Sequence, residues 1–236
     1  MTAQRGSRES YGENARNGHI GLARSMPHIE SFEQNVSQYE QWFVEHPQAY
    51  VSELHAVRDL LPKGNGIEIG VGTGRFAAPL GITRGIEPSQ AMAAFAKRNG
   101  IDVLSGVAEH LPLSDGEFDF VLMVTTACFL DDMDLAFREV HRVLKRSGLF
   151  VIGFIDRESP LGNEYLRRKD KSVFYKDATF HTVSEIVNHL VRSGFTNFAF
   201  RQTLAKPLDK MTEVDPVIEG YGRGSFVVIR AVKGAP

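Results

Sequence analysis

The chain has 236 residues, with 27 Lys and Arg against 29 Asp and Glu, a formal net charge of -2, 42% hydrophobic residues, 24% charged residues and one cysteine. That balance fits one ordinary globular domain with a core large enough to be stable. It offers no global field for a polyanion, so a nucleic-acid partner would need a local basic patch. Cys128 alone provides no intramolecular disulfide, no structural zinc site and no CxxC couple, which fits a reducing cytoplasm. No run approaches the roughly 20 apolar residues of a membrane span.

Residues 1–30 carry Arg5, Arg8, Arg16 and Arg24 among Gly, Ser and Asn, with Glu9 and Glu13 but no apolar segment. They read as a disordered tail, not as a secretory or transit signal. Ser31 and Gln34 have capping-box spacing, and Phe32, Val36, Tyr39 and Phe43 recur at helical intervals, which predicts an amphipathic helix. After His46-Pro47, the residues Tyr50, Leu54, Val57, Leu60 and Leu61 predict a second helix that stops at Pro62-Lys63-Gly64. Residues 31–60 thus form an N-terminal helical cap on a domain spanning 61–236.

Within that domain the pattern alternates. Strands are predicted at Gly66–Val71, Arg84–Glu87, Asp102–Ser105, Phe118–Val124 and Leu149–Phe154. Helices are predicted at Ser89–Asn99, capped by Ser89 and Gly100, at Asp132–Leu144, and at Thr182–Arg192, where Thr182 and Glu185 have capping-box spacing. Two last strands follow at Phe195–Thr203 and Ser225–Val232. Such alternation predicts an α/β, doubly wound sheet with helices on both faces and a ligand crevice at the carboxyl ends of the strands, beside the first one.

The glycine-rich loop Glu68-Ile69-Gly70-Val71-Gly72-Thr73-Gly74 sits where the first strand turns toward a helix. Its glycines let a ligand approach the main chain with no Cβ in the way. The spacing is GxGxG. It departs from the GxGxxG of a dinucleotide fingerprint, and no Gly-Lys-Ser/Thr follows to make a P-loop.

With these residues in place, the chain from Leu61 to Val232 resembles the class I S-adenosylmethionine-dependent methyltransferases, and its central motifs are similar to those of ubiquinone and menaquinone biosynthesis methyltransferases. Five segments carry the resemblance in order: the glycine loop, Glu87 at the end of the second strand, Gly106-Val107-Ala108-Glu109-His110, Asp115-Gly116-Glu117-Phe118-Asp119, and Glu139-Val140-His141-Arg142-Val143-Leu144. The resemblance implies a Rossmann-like seven-stranded sheet with its last strand antiparallel and S-adenosyl-L-methionine as cofactor.

Cofactor-binding candidates are then Glu68, Gly70, Gly72, Gly74, Glu87, Met92, Ala108 and Glu109. Glu87 would accept both ribose hydroxyls, the amides of Ala108 and Glu109 would read the adenine edge, and Glu68 would orient the methionine end, through water. Met92 reads equally as an adenine contact or as core packing. Relatives place an acid directly after Gly106, where this chain has Val107, so the exocyclic contact falls to Glu109, the backbone or water.

The acceptor side is less specific, because an activated sulfonium asks the protein mainly to position, desolvate and, where needed, deprotonate. Topology nominates Thr125 and Cys128 after the fourth strand, Tyr175 and His181 around a long insert at 156–180, Tyr221 and Arg223 in a second insert at 204–224, and Tyr39, Trp42 and His46 in the cap. His46 is the preferred general base, with Thr125 and Tyr221 as its catalytic companions. Each also has a plain packing reading. Asp131, Asp132 and Asp134 read as helix-start residues, not metal ligands, and Arg167-Arg168-Lys169-Asp170-Lys171 as a solvated helix face. The sequence implies a small-molecule methyl acceptor at an oxygen, nitrogen or sulfur, with no nucleic acid and no metal. The alternative is a methyltransferase-like binding or regulatory protein without turnover.

Overall fold

The computed structural model describes residues 29–235. All but the last two residues of the tail assigned to 1–30 therefore lie outside the described residues. The cap is three helices: α1 (Glu30–Gln34), α2 (Val36–Glu45) and α3 (Pro47–Leu60). Here the structure departs from the single helix predicted from Ser31. Gln34 donates to Glu30, so no Ser31 capping box forms, and Asn35 leaves helical geometry (φ -125°) while its amide donates to the Ser31 carbonyl. Pro47 opens α3 at a position where its missing N–H costs nothing.

The domain continues as β1 (Gly66–Ile69), α4 (Ala77–Leu80), β2 (Arg84–Ile86), α5 (Gln90–Arg98), β3 (Asp102–Leu104), β4 (Phe118–Val124), α6 (Met133–Val143), β5 (Leu144–Ile155), α7 (Pro160–Arg168), α8 (Val183–Arg192), β6 (Phe195–Thr203), β7 (Ile218–Glu219) and β8 (Phe226–Lys233). The strands form an 8-stranded sheet in the order β3-β2-β1-β4-β5-β8-β6-β7. From β3 to β5 the pairs are parallel, and β8 runs antiparallel between β5 and β6. The eighth strand, β7, is a two-residue edge on β6 within the 204–224 insert, added to the seven expected. β5 starts five residues earlier than predicted, because Leu144 already pairs with Phe118 before the register shifts.

Alternation along the central strands fills both faces. Val121 and Met123 of β4 join Phe150 and Ile152 of β5 beneath α6 and α8, whereas Phe120, Leu122 and Val124 join Val151 on the face covered by α3. The predicted caps form: Ser89 accepts from Met92, Asp132 from Leu135, and Thr182 makes a reciprocal box with Glu185.

Arg142 on α6 ties the loop that follows β3 to the body of the domain. Its guanidinium donates to the carbonyls of Leu111 (3.1 Å) and Leu113 (2.8 Å) and to both oxygens of Glu139, which in turn accepts from the Leu111 amide (2.9 Å). Arg142→Ala is expected to cost about 1–3 kcal/mol in chemical denaturation, since it strips donors from carbonyls in a partly buried loop. A loss within about 0.5 kcal/mol, the usual range for a surface substitution, would show that the clamp is idle.

Candidate active site

The glycine loop leaves β1 with Gly70, Gly72 and Gly74 all at positive φ (71°, 54° and 85°). Each glycine meets a different constraint. A Cβ on Gly70 would strike the Thr126 side chain at 2.3 Å, and one on Gly74 would strike Ile101 at 2.5 Å, so both permit close packing. A Cβ on Gly72 would meet only the Tyr39 hydroxyl, at 3.5 Å, and would otherwise project into open space. The predicted helix after the loop is a single turn, α4, so loop amides and not the end of a long helix form the cradle.

Glu87 braces that cradle. One carboxylate oxygen accepts from the Gly72 amide (2.9 Å) and the other from the Ser89 amide (2.9 Å). Burial pushes its pKa up to about 7 even though these two amides pull the other way. Glu68 lies deeper. Burial holds its carboxyl well above the ordinary range against the pull of the Ala77 amide, and its Oε2 has no hydrogen-bond partner.

A cavity of about 690 Å³ opens from this loop, a size suited to a small-molecule site. On one side it is lined by Gly70, Gly72, Glu87, Met92, Val107, Ala108 and Glu109. Met92 is 2% exposed and faces the cavity from α5, so it serves as both wall and core. Glu109 spends one carboxylate oxygen on the amides of Asp131 (2.9 Å) and Asp132 (3.4 Å), which fixes the start of α6.

The other side is aromatic. Trp42 and Phe43 of α2, Phe129 after β4, Tyr165 of α7, and Phe174 and Tyr175 of the 156–180 insert form it, with Phe32 and Tyr39 between the halves. Phe32 meets Phe129 edge-on at 5.0 Å and lies against Phe174 at 5.2 Å, so the cap and the insert close a common roof. Thr125 also lines the cavity, held at φ 52°, a conformation that is uncommon for a β-branched residue and is found where the surroundings enforce it.

Several expected residues are elsewhere. His46 joins α2 to α3 and packs its ring against Trp42, outside the cavity wall, so it is not placed to serve as a base there. Tyr221 is 51% exposed and packs on Phe200, while the Arg223 amide donates to Gln202. The 204–224 insert is drawn away from the cavity because Asp215 donates its amide to Ser52 of α3 and accepts from the Ala205 amide. Cys128 and His181 line a separate void of about 20 Å³ behind Thr125 and Tyr175. Burial lifts the Cys128 thiol to about 12, which leaves it inert. Among the described residues, no cluster of His, Cys, Asp or Glu has metal-holding geometry, and no helix is long and apolar enough to cross a membrane.

The sequence reading passed over Glu53, Tyr165, Phe129 and Phe174. Glu53 is 4% exposed, faces the cavity from α3, and receives no hydrogen bond from the described residues. Burial alone lifts its carboxyl to about 8. A signal was available, since Ala49, Glu53, Val57 and Leu60 share the buried stripe of α3 and Glu53 is the one charge in it.

A family model described as a methyltransferase domain matches residues 67–152. A solved Thermotoga maritima S-adenosylmethionine-dependent methyltransferase, named a possible histamine N-methyltransferase, is 53% identical with a TM-score of 0.86, over 87% of this chain and 99% of that one. An uncharacterized Methanocaldococcus jannaschii protein is 45% identical over 86% of this chain and 98% of its own length. An uncharacterized Mycobacterium tuberculosis protein is 36% identical over 89% of this chain and 76% of its own.

The buried carboxyls give the stability of the ligand-free protein a defined pH dependence. Glu53 titrates at about 8 and Glu87 at about 7 in the fold, both above the unfolded value of 4.5, so the contribution is complete below that value and is lost as pH rises through 7 and 8. The melting temperature should fall between about pH 5 and about pH 8 and level off above that, and Glu53→Gln should flatten part of the fall. An unchanged slope in Glu53→Gln, measured by scanning calorimetry, would contradict the burial argument.

Proposed function

The chain belongs to the S-adenosylmethionine-dependent methyltransferases, and from that premise we propose that it transfers the methyl group to an oxygen, nitrogen or sulfur of a small molecule held in the aromatic half of the cavity. The observation that carries this reading is the open chamber itself. One cavity of about 690 Å³ is lined both by the glycine loop and carboxylates that suit the cofactor and by the aromatic residues that suit an acceptor.

The residues present fit the cofactor on the chain's own geometry. The Glu87 carboxylate is anchored by two backbone amides and retains lone pairs for the ribose diol. Gly72 allows close approach of the amino-acid end, and the unpartnered Glu68 Oε2 deeper in the loop would order it through water. Met92 would lie against the adenine, whose edge would be read by the Ala108 and Glu109 backbone, because one Glu109 oxygen is already committed to α6. Bound there, the cofactor supplies an electrophilic sulfonium methyl. Gly74 acts one step back, by seating the loop on Ile101.

On the acceptor side, the aromatic walls exclude water and orient the incoming nucleophile, with Thr125 at the border between the halves. Neither His46 nor Tyr221 has a part in this account. The near-neutral charge and the enclosed roof suit a small molecule better than a nucleic acid.

S-adenosylhomocysteine should raise the melting temperature, and neither Glu87→Ala nor Gly72→Val should respond while both keep a native circular-dichroism spectrum. Because the ribose contact needs an ionised Glu87 and that group titrates at about 7, affinity should be roughly tenfold weaker at about pH 6 than at about pH 8. Absence of any thermal shift in the unmodified protein would overturn the cofactor reading.

A further inference from the structure

Resting on the methyl-transfer reading above, we infer that the acceptor is a small amine with an apolar or aromatic body, and that the Glu53 carboxyl holds its nitrogen. Glu53 projects from α3 into the cavity wall beside Trp42, Tyr165 and Tyr175. Among the described residues, nothing donates a hydrogen bond to it, and no cation offsets its burial. Tyr39 from α2, Tyr50 from its own helix, Tyr165 from α7 and Tyr175 from the insert are coupled to it, and a phenol carries no positive charge. Burial raises the pKa of each. The cavity's basic residues, Arg168 and Lys171, are exposed, and Arg168 pairs with Glu164 at 3.0 Å.

An unpaired carboxyl in such a place weakens the fold, and an apolar side chain among Ala49, Ala56, Val57 and Leu60 would pack more favourably. What satisfies it must come from the ligand. Burial keeps the carboxyl protonated in the empty pocket near neutrality, and an entering ammonium displaces that proton to solvent, which leaves a carboxylate that only accepts, opposite a partner that donates. An ammonium group donates and neutralises at once. An alcohol or thiol meets only the protonated, uncharged carboxyl and makes a neutral hydrogen bond, and an acceptor that is itself an anion gains no charge-assisted contact.

The same contact prepares the nucleophile. An aliphatic amine is protonated near neutrality and has no free lone pair. In the dry pocket the proton passes from the ammonium nitrogen to a Glu53 oxygen. The electron pair of the broken N–H bond stays on nitrogen, and the positive and negative charges cancel. Glu87 and the glycine loop, which serve the cofactor, take no part in this contact.

The test is calorimetric titration of the protein saturated with S-adenosylhomocysteine, with two probe pairs, 2-phenylethylamine against 2-phenylethanol and butylamine against butanol. In the unmodified protein at least one amine should bind ten times or more tighter than its alcohol, about the difference a charge-assisted contact makes over a neutral one. In Glu53→Gln amine binding should weaken at least about tenfold, with alcohol binding within about twofold and the S-adenosylhomocysteine thermal shift retained. Equal binding of amine and alcohol, no binding of either amine, or undiminished amine binding in Glu53→Gln would overturn the inference. The amine-to-alcohol ratio needs no variant, so it decides even where Glu53→Gln fails to fold. Failure of the cofactor reading is visible separately, as a missing S-adenosylhomocysteine shift.

Discussion

The site depends on one buried carboxylate that joins two backbone segments. Glu87 directly follows β2 and holds the amides of Gly72 and Ser89, both at 2.9 Å, so the loop after β1 and the start of α5 cannot move apart without exposing a desolvated acid. The parallel order β3-β2-β1-β4 brings those segments side by side. Ser89 carries the linkage outward, because its hydroxyl donates to Glu33 of α1 at 2.6 Å, and Glu33 also accepts from the Ala91 amide. The cap is thereby docked on the same turn that braces the glycine loop, and Tyr39 is brought over Gly72. Loop, cofactor wall and roof are one mechanical unit.

Burial works in opposite ways in the two halves of the cavity. Around Glu87 the backbone supplies donors, so a desolvated carboxylate is tolerated and poised near neutrality. Around Glu53 the protein supplies aromatic rings and no donor, so the compensation is left to whatever enters. On the proposed reading, the braced acid belongs to the cofactor's part of the pocket and the unbraced one to the acceptor's. The roof formed by Phe32, Phe129 and Phe174 shields both from water, which strengthens every charged contact beneath it.

Much of this was legible in the sequence where local chemistry decides the outcome. Strand–helix alternation and the caps at Ser89, Asp132 and Thr182 follow from short-range patterns that the structure realises. Legibility fails where direction matters more than position. His46 and Tyr221 are in segments that topology sends toward the ligand face, but His46 turns against Trp42, and Asp215 pulls the insert that carries Tyr221 onto α3. The break at Asn35 depends on a single side-chain bond to Ser31, too small a feature to disturb the helical period. Glu53 was hidden because an acid on a helix is normally assigned to its wet face, although its register with Ala49, Val57 and Leu60 puts it on the dry one.

On the proposed reading, Glu87 and the glycine loop hold the cofactor while the aromatic chamber beyond Thr125 stays free for an acceptor. The decisive experiment is a crystal structure of the protein with S-adenosylhomocysteine. The ribose hydroxyls should lie on the Glu87 carboxylate and the adenine against Met92, with an open space lined by Trp42, Glu53 and Tyr175 next to the homocysteine sulfur. A ribose held by any other side chain, or a ligand body that fills the aromatic chamber itself, would contradict that reading.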